Sequence, residues 1–159
     1  MTKVGFSVKG SGKAVVLLHG SMATKTQWRP LIQELQQDYR VITMDLSGYG
    51  ETPYPDRPEN YSLEYESDLL QQVLSETLSE NEPYHLIGHS YGGAVALHHA
   101  YNHSERVHSL IAIEPMSYHL LEEGHEYLLA SEAMIAEITK DIAMGKSQVG
   151  AEKFIDVWV

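Results

Sequence analysis

His85-Leu86-Ile87-Gly88-His89-Ser90-Tyr91-Gly92-Gly93-Ala94-Val95-Ala96-Leu97 decides how this chain is read. Tyr84 to Ile87 is apolar and β-prone, and Gly92 to Ala100 is small and helix-compatible. The stretch therefore predicts a buried strand, a tight turn and a helix in immediate succession. The turn is G-x-S-x-G, with Gly88, Ser90 and Gly92 as its fixed points. Strand and helix backbones approach so closely in such a turn that a Cβ would clash, so glycine is required at its ends. The serine at the tip is held above the sheet in a strained conformation, and Ser90 is expected at positive φ. The N–H of Tyr91 is left free at a helix start, where the helix dipole also favours negative charge. The plain alternative is a tight strand-to-helix turn carrying an ordinary serine.

Outward from that stretch, the chain alternates. Val4–Val8 alternates in polarity and ends at the turn cluster Lys9-Gly10-Ser11-Gly12, which predicts an edge strand. Ala14–Leu18 is a continuous apolar run, as in a strand buried on both faces. Gln27 to Gln37 has a helical stripe of Trp28, Leu31, Ile32 and Leu35, with Pro30 tolerable in a first turn. Arg40–Met44 is the next strand, followed by the loop Asp45–Thr52, and Pro53, Pro55, Pro58 and Pro83 punctuate the region between that loop and Tyr84. Ser62 is placed to cap a helix from Leu63 to Ser79, with Asp68 outside and Leu69, Leu70, Val73, Leu74 and Leu78 inward. Val107–Ile113 is a last strand, ending at Glu114-Pro115. The order β, β, α, β, α, β, α, β means an α/β fold: a mostly parallel sheet with helices on both faces.

From Met116 the alternation stops. Leu120 to Met144 reads as helix, with Leu128, Ile135, Ile138 and Ile142 as its stripe and Gly145 as its stop. A further helix, about Ala151 to Trp158, carries Phe154, Ile155 and Trp158. Two regions are expected, residues 1–115 and 116–159.

Composition narrows the function classes. The 159 residues suffice for one domain with a core, and 43% hydrophobic content places the chain among globular proteins. With no cysteine there is no disulfide, cysteine nucleophile or thiolate metal site. A net charge of −11 argues against nucleic acid and anionic membrane surfaces as partners. Met1–Gly10 lacks the apolar core of a signal peptide, and no apolar run has the length of a membrane span, so a cytoplasmic location is the default expectation.

Three segments together resemble the α/β-hydrolase superfamily, in its cap-bearing, esterase-like branch. They are His19-Gly20 after the first buried strand, Asp45-Leu46-Ser47-Gly48-Tyr49-Gly50 after the second, and Gly88-His89-Ser90-Tyr91-Gly92-Gly93. The resemblance covers about the first three quarters of the chain and implies that residues from Met116 begin a helical cap. It implies Ser90 as nucleophile toward an ester or related acyl carbon, and the N–H groups of Tyr91 and Ser21 as the oxyanion hole. Met22, Trp28 and Tyr91 become candidates for the substrate pocket wall, with plain core packing as the alternative. His19 and Asp45 are expected to be structural. No cofactor or metal is implied, and the expected ligand is a small-molecule substrate. Carbon–carbon bond hydrolysis and cofactor-free haloperoxidation on the same scaffold are alternatives, while a serine at the tip speaks against haloalkane dehalogenation. A non-catalytic binding or self-associating module is the alternative from another class.

In the family the triad runs Ser, acid, His, with the His after the last strand. Residue 159 is reached before any such strand, so the chain is expected to be the first half of a hydrolase, lacking at least two βα units of roughly 30 residues each and nearly inert by itself. No histidine present is a clear base. His85 starts the strand, His89 points away from the site, and His98, His99 and His103 run along the following helix. His99 and His103, four apart, read as a solvated helix face rather than a metal pair. His119 and His125 are remote possibilities. Glu114, at the carboxyl end of its strand, is the candidate acid. The missing neighbour would leave Val107–Ile113 as an open apolar edge, so a homodimer or higher self-association is expected.

Overall fold

The computed structural model describes residues 2–57, 59 and 61–158, and the side chains of all of these except His119 and Trp158. The readings of the Pro58, His119 and Trp158 side chains therefore lie outside the described residues. The chain divides into two compact units, one up to Met116 and one from Ser117 on.

The first unit is built on a five-stranded sheet of β1 (Phe6–Lys9), β2 (Lys13–Leu18), β3 (Tyr39–Met44), β4 (Tyr84–His89) and β5 (Val107–Ile113), in the order β1-β3-β2-β4-β5. β1 is antiparallel to β3 and forms one edge; the remaining neighbours are parallel. β2 lies at the centre, and its residues from Ala14 to Leu18 are all buried, which is why it reads as an unbroken apolar run. Alternate residues of the strands face two cores. Val16, Leu18, Ile42, Met44 and Leu86 pack with α2 (Leu63–Thr77) and α3 (Tyr91–Asn102) on one side. Val15, Leu17, Val41 and Ile87 pack with α1 (Arg29–Leu35) on the other. On α1's side the cover stops short: Ile111, beside Ile87 in register, is 53% exposed.

The first helix departs from the expected Gln27–Gln37. A 3-10 turn, Lys25–Trp28, comes first, capped by the Thr24 hydroxyl, and α1 starts at Arg29 with Pro30 in its first turn. Proline has no N–H to give, so it sits where none is needed. α2 begins where Ser62 predicts, its hydroxyl accepting from the Tyr65 N–H at 3.1 Å.

In the second unit α4 (Glu126–Ala143) starts later than Leu120, because Gly124 turns at φ +84 and His125 caps the helix. It ends at Gly145, φ +76, in a double closure: Gly145 N–H to the Ile142 carbonyl and Lys146 N–H to the Asp141 carbonyl. α5 (Ser147–Trp158) starts earlier than expected. Gly150 lies inside it, close to Ile138 and Ile142 of α4. Lys153 ties the two helices through Glu137 and Asp141. No helix among the described residues is long and apolar enough to cross a membrane.

His99 corrects the expectation of a solvated helix face. It is fully buried, with Nδ1 on the Ser67 hydroxyl and Nε2 on the Tyr84 hydroxyl, both at 2.8 Å. It thereby fixes α3 to α2 and to β4. The helical spacing of His99 and His103 could not reveal this, since the polar partners come from other elements. Desolvation, followed by the neighbouring His103, His98 and Arg106 charges, lowers its pKa to about 4. The unfolded chain therefore takes up a proton below pH 6.5 that the folded chain refuses until about pH 4. Stability falls as pH drops through that window, by roughly 3 kcal/mol across it. His99→Gln, which keeps hydrogen-bonding capacity, is expected to flatten this pH dependence in urea unfolding; an unchanged slope would contradict the assignment.

Candidate active site

Ser90 stands between β4 and α3 at φ 52, ψ −117, the positive φ that the turn requires of it. That conformation costs a non-glycine residue on the order of 1–3 kcal/mol and persists only where the surroundings impose it. Here they do so through the backbone. The Ser90 N–H donates to the Ile113 carbonyl at 2.9 Å, and its carbonyl accepts from Ala94 and Met116 N–H at 3.1 Å each. Close packing leaves no alternative path. A Cβ on Gly88 would collide with the Gly92 carbonyl, and one on Gly92 with the carbonyls of Leu18 and His19.

The loop after β2 is pressed against the same point. A Cβ on Gly20 would stand 3.3 Å from the Ser90 Cβ and 2.8 Å from His89 Nδ1. Ser21 and Met22 follow in a turn closed by the Ala23 N–H on the Gly20 carbonyl. Met22 adopts φ 59, a second strained position that sequence did not signal, and its side chain is 55% exposed. Tyr91 is the first residue of α3, so its N–H has no acceptor within the helix. Trp28 takes the packing alternative. It is 7% exposed, against Val15, Leu17 and Val41 in the core beneath α1.

The two structural expectations hold in detail. His19 is fully buried; its Nδ1 donates to the Gly20 carbonyl at 2.7 Å, and its Nε2 accepts from the Leu46 N–H at 3.0 Å. Desolvation is the largest influence on it and lowers its pKa, so the ring stays a neutral strut between the two loops. Asp45 accepts from the Lys25 N–H, the Lys25 ammonium and the Glu51 N–H. Burial opposes its ionisation, but Lys25 and these N–H bonds outweigh it and hold the carboxyl below its usual range.

Glu114 ends β5 at φ 46 with its side chain 86% exposed, and its carboxylate lies 4.0 Å from His89 Nε2. His89 Nδ1 is bonded to the Gln27 amide at 3.2 Å, which in turn accepts from the Gly20 N–H. Three further histidines bond elsewhere: His85 to Ser109, His98 to Glu64 and Asn102, and His125 to the Tyr127 N–H. None of these bonds reaches Ser90. Among the described residues no group of three metal-ligating side chains is placed to hold an ion.

Sequence reasoning missed Gln27 and Glu66. Glu66 is fully buried beneath Tyr91, on the inward stripe of α2 one turn before Leu69 and Leu70. A carboxylate at a core position of an amphipathic helix was the available signal.

A family profile described as the alpha/beta hydrolase fold matches residues 13–140. The chain belongs to the α/β-hydrolase fold family. Among curated members, a pimeloyl-[acyl-carrier protein] methyl ester esterase of Aeromonas hydrophila is 38% identical over 104 residues, 65% of this chain and 38% of the esterase. A Bacillus megaterium epoxide hydrolase superposes with a TM-score of 0.74 at 25% identity, over 87% of this chain and 51% of that structure. A meta-cleavage product hydrolase of Pseudomonas fluorescens superposes at 0.64 and 31% identity, over 70% and 41%. This α/β-hydrolase chain thus spans about half or less of these relatives' length.

The glycine packing yields a test. Gly88→Ala is expected to destabilise the fold by about 1–3 kcal/mol, since the added methyl meets backbone that cannot move aside. Chemical denaturation measures it, and an unperturbed midpoint would mean the turn is looser than described.

Proposed function

We propose that Ser90 is the nucleophile of a serine hydrolase acting on an ester or related acyl substrate, with the N–H groups of Tyr91 and Ser21 receiving the oxyanion. The observation that carries this reading is Ser90 at φ 52, ψ −117 on the tip between β4 and α3. A serine held there by its neighbours' carbonyls and N–H groups is presented, not packed. The Gly20 loop against Ser90 Cβ supports Ser21 as the second donor. In the step, Ser90 Oγ bonds the acyl carbon, its proton passes to a base, and the alcohol leaves to give an acyl-enzyme. Two donors aimed at the developing oxyanion would favour the tetrahedral intermediate. Similarity to a methyl ester esterase supports the ester class. Similarity to a meta-cleavage product hydrolase keeps carbon–carbon bond hydrolysis as the alternative chemistry at the same serine. Glu114 remains the candidate acid, facing His89 rather than a base beside Ser90.

With no described histidine bonded to Ser90, acylation of this chain is expected to be slow. Serine sites lacking their base retain roughly 10³–10⁴-fold over water, against an ordinary turnover of about 10 s⁻¹. Incubation with a nitrophenyl ester, followed by peptide mass mapping, should find one acyl group on Ser90 and none in Ser90→Ala. An adduct that survives the substitution would reject Ser90. Turnover in the ordinary range, abolished by Ser90→Ala, would reveal a base other than the histidines placed here.

The second reading, a self-associating module, is favoured by the open β5 edge. An antiparallel two-fold pairing centred on Leu110 sets Val107 against Ile113 and Leu110 against its copy, with Arg106 opposite Glu114, while His108 faces Ala112 and Ser109 faces Ile111 of the second copy. Sedimentation at micromolar concentration should show a dimer that Ile111→Lys, at an exposed position, weakens; a monomer throughout would rule this pairing out.

A further inference from the structure

Glu66 plays no part in the acyl-transfer chemistry proposed for Ser90, yet it lies directly under the site. It follows the inward face of α2, whose next members Leu69, Leu70, Val73 and Leu74 belong to the main core, and like them it is buried. A carboxylate in that position is costly unless donors converge on it. Two do. The Ser47 N–H donates to both carboxylate oxygens at 3.1 and 3.2 Å, and the Tyr91 hydroxyl donates to Oε1 at 3.4 Å. Tyr61, just ahead of α2, stacks on the Tyr91 ring with centroids 6.0 Å apart and planes 16° from parallel. One carboxylate therefore touches the loop after β3 and the residue after Ser90 at once.

We propose that ionised Glu66 is a positioning residue for the oxyanion hole: it tethers the Tyr91 side chain to the Ser47 loop, fixing the Tyr91 N–H, and protonation of Glu66 releases that tether. The proposal rests on the reading of Tyr91 N–H as an oxyanion donor. An ionised carboxylate only accepts, so both donors are served. Once protonated, one oxygen becomes a donor and one acceptor site is lost. The Tyr91 bond is the longest of the three and is the one to yield. Close packing of Gly92, where a Cβ would meet the carbonyls of Leu18 and His19, holds the helix start from one side, and the Tyr91 side chain on Glu66 is a second hold on the residue before it.

The direction of the pH dependence is set by burial. It is the largest influence on Glu66 and pushes its carboxyl above 4.5, outweighing the Ser47 and Tyr91 bonds. The tether is intact at neutral pH and is lost as pH falls through that raised value. The groups facing Glu66 are Tyr91 on α3, Tyr61 ahead of α2, and Ser47 on the loop. Tyr61 is pushed up to about 12 and Tyr91 higher still, chiefly by burial, so neither ionises in the window. His19, which reaches from the loop after β2 to the Leu46 N–H, and Asp45, whose carboxyl Lys25 and backbone N–H groups hold below its usual range against burial, are the other buried titrating groups at this loop.

The test is an NMR pH titration of the whole chain, following the Glu66 carboxyl carbon and the Tyr91 amide. The Tyr91 amide is expected to show a transition at the pH where Glu66 titrates, and to lose it in Glu66→Gln. Tyr91→Phe is expected to raise the Glu66 pKa, because the ionised form loses a donor; this arm decides if Glu66→Gln does not fold. A Tyr91 amide that ignores pH, or the same transition retained in Glu66→Gln (which would assign it to His19), overturns the proposal. So does a Glu66 titration unmoved by Tyr91→Phe. Where Ser90 acylates, its rate should carry an acid limb at the same pKa, missing in Glu66→Gln. If Ser90 never acylates while the Tyr91 amide follows Glu66, the functional reading falls and the tether stands.

Discussion

A single close approach organises the first unit: the backbone of β4 against the backbone at the start of α3. The Gly92 carbonyl occupies the place where a Gly88 side chain would be, and the carbonyls of Leu18 and His19 occupy the place of a Gly92 side chain. Neither contact is attractive in itself. Each removes an option, until Ser90 has no route from strand to helix except through positive φ. The cost, on the order of 1–3 kcal/mol, is spread over the hydrogen bonds that seize the Ser90 peptide from β5, from α3 and from the Pro115–Met116 segment. The strain is thus held by the whole sheet, not by the turn alone.

The loops around that point are held by buried polar side chains. His19, neutral and desolvated, joins the loop after β2 to the loop after β3. Asp45, with Lys25 and the Glu51 N–H, closes the loop after β3 on itself and onto the 3-10 turn before α1. Glu66 adds a third strut, from α2 to Ser47 and Tyr91. Apolar contact alone would let such loops slide, because dispersion has little directional preference. Hydrogen bonds in a low-dielectric interior fix them, and leaving any one unmade costs about 1–3 kcal/mol. These groups form a frame whose inner members are buried and whose outer face carries Ser21, Met22 and Ser90.

The sheet is asymmetric in how it is finished. β1 closes one side as a short antiparallel strand, while β5 leaves the other side open, with Ile111 and Ile113 exposed on the face that α1 does not reach.

The sequence by itself determined the order of elements, the parallel sheet with helices on both faces, and the tight strand-to-helix turn at Ser90. Those features are local: continuous apolar runs, helical stripes, Ser62 as a cap, and glycines at fixed offsets leave a periodic trace along the chain. It also placed His19 and Asp45 as structural groups. Only the tertiary structure decided that Trp28 is core, that His99 is buried between Ser67 and Tyr84, that Glu114 turns at positive φ toward His89, and that Glu66 braces Tyr91. In each case the partner lies on another element, tens of residues away for most of them. A histidine on α3 or a glutamate on α2 looks the same in sequence whether it faces water or a buried hydroxyl. Burial and pairing are properties of the packed layers, and they exist only once β4, α2 and α3 have met.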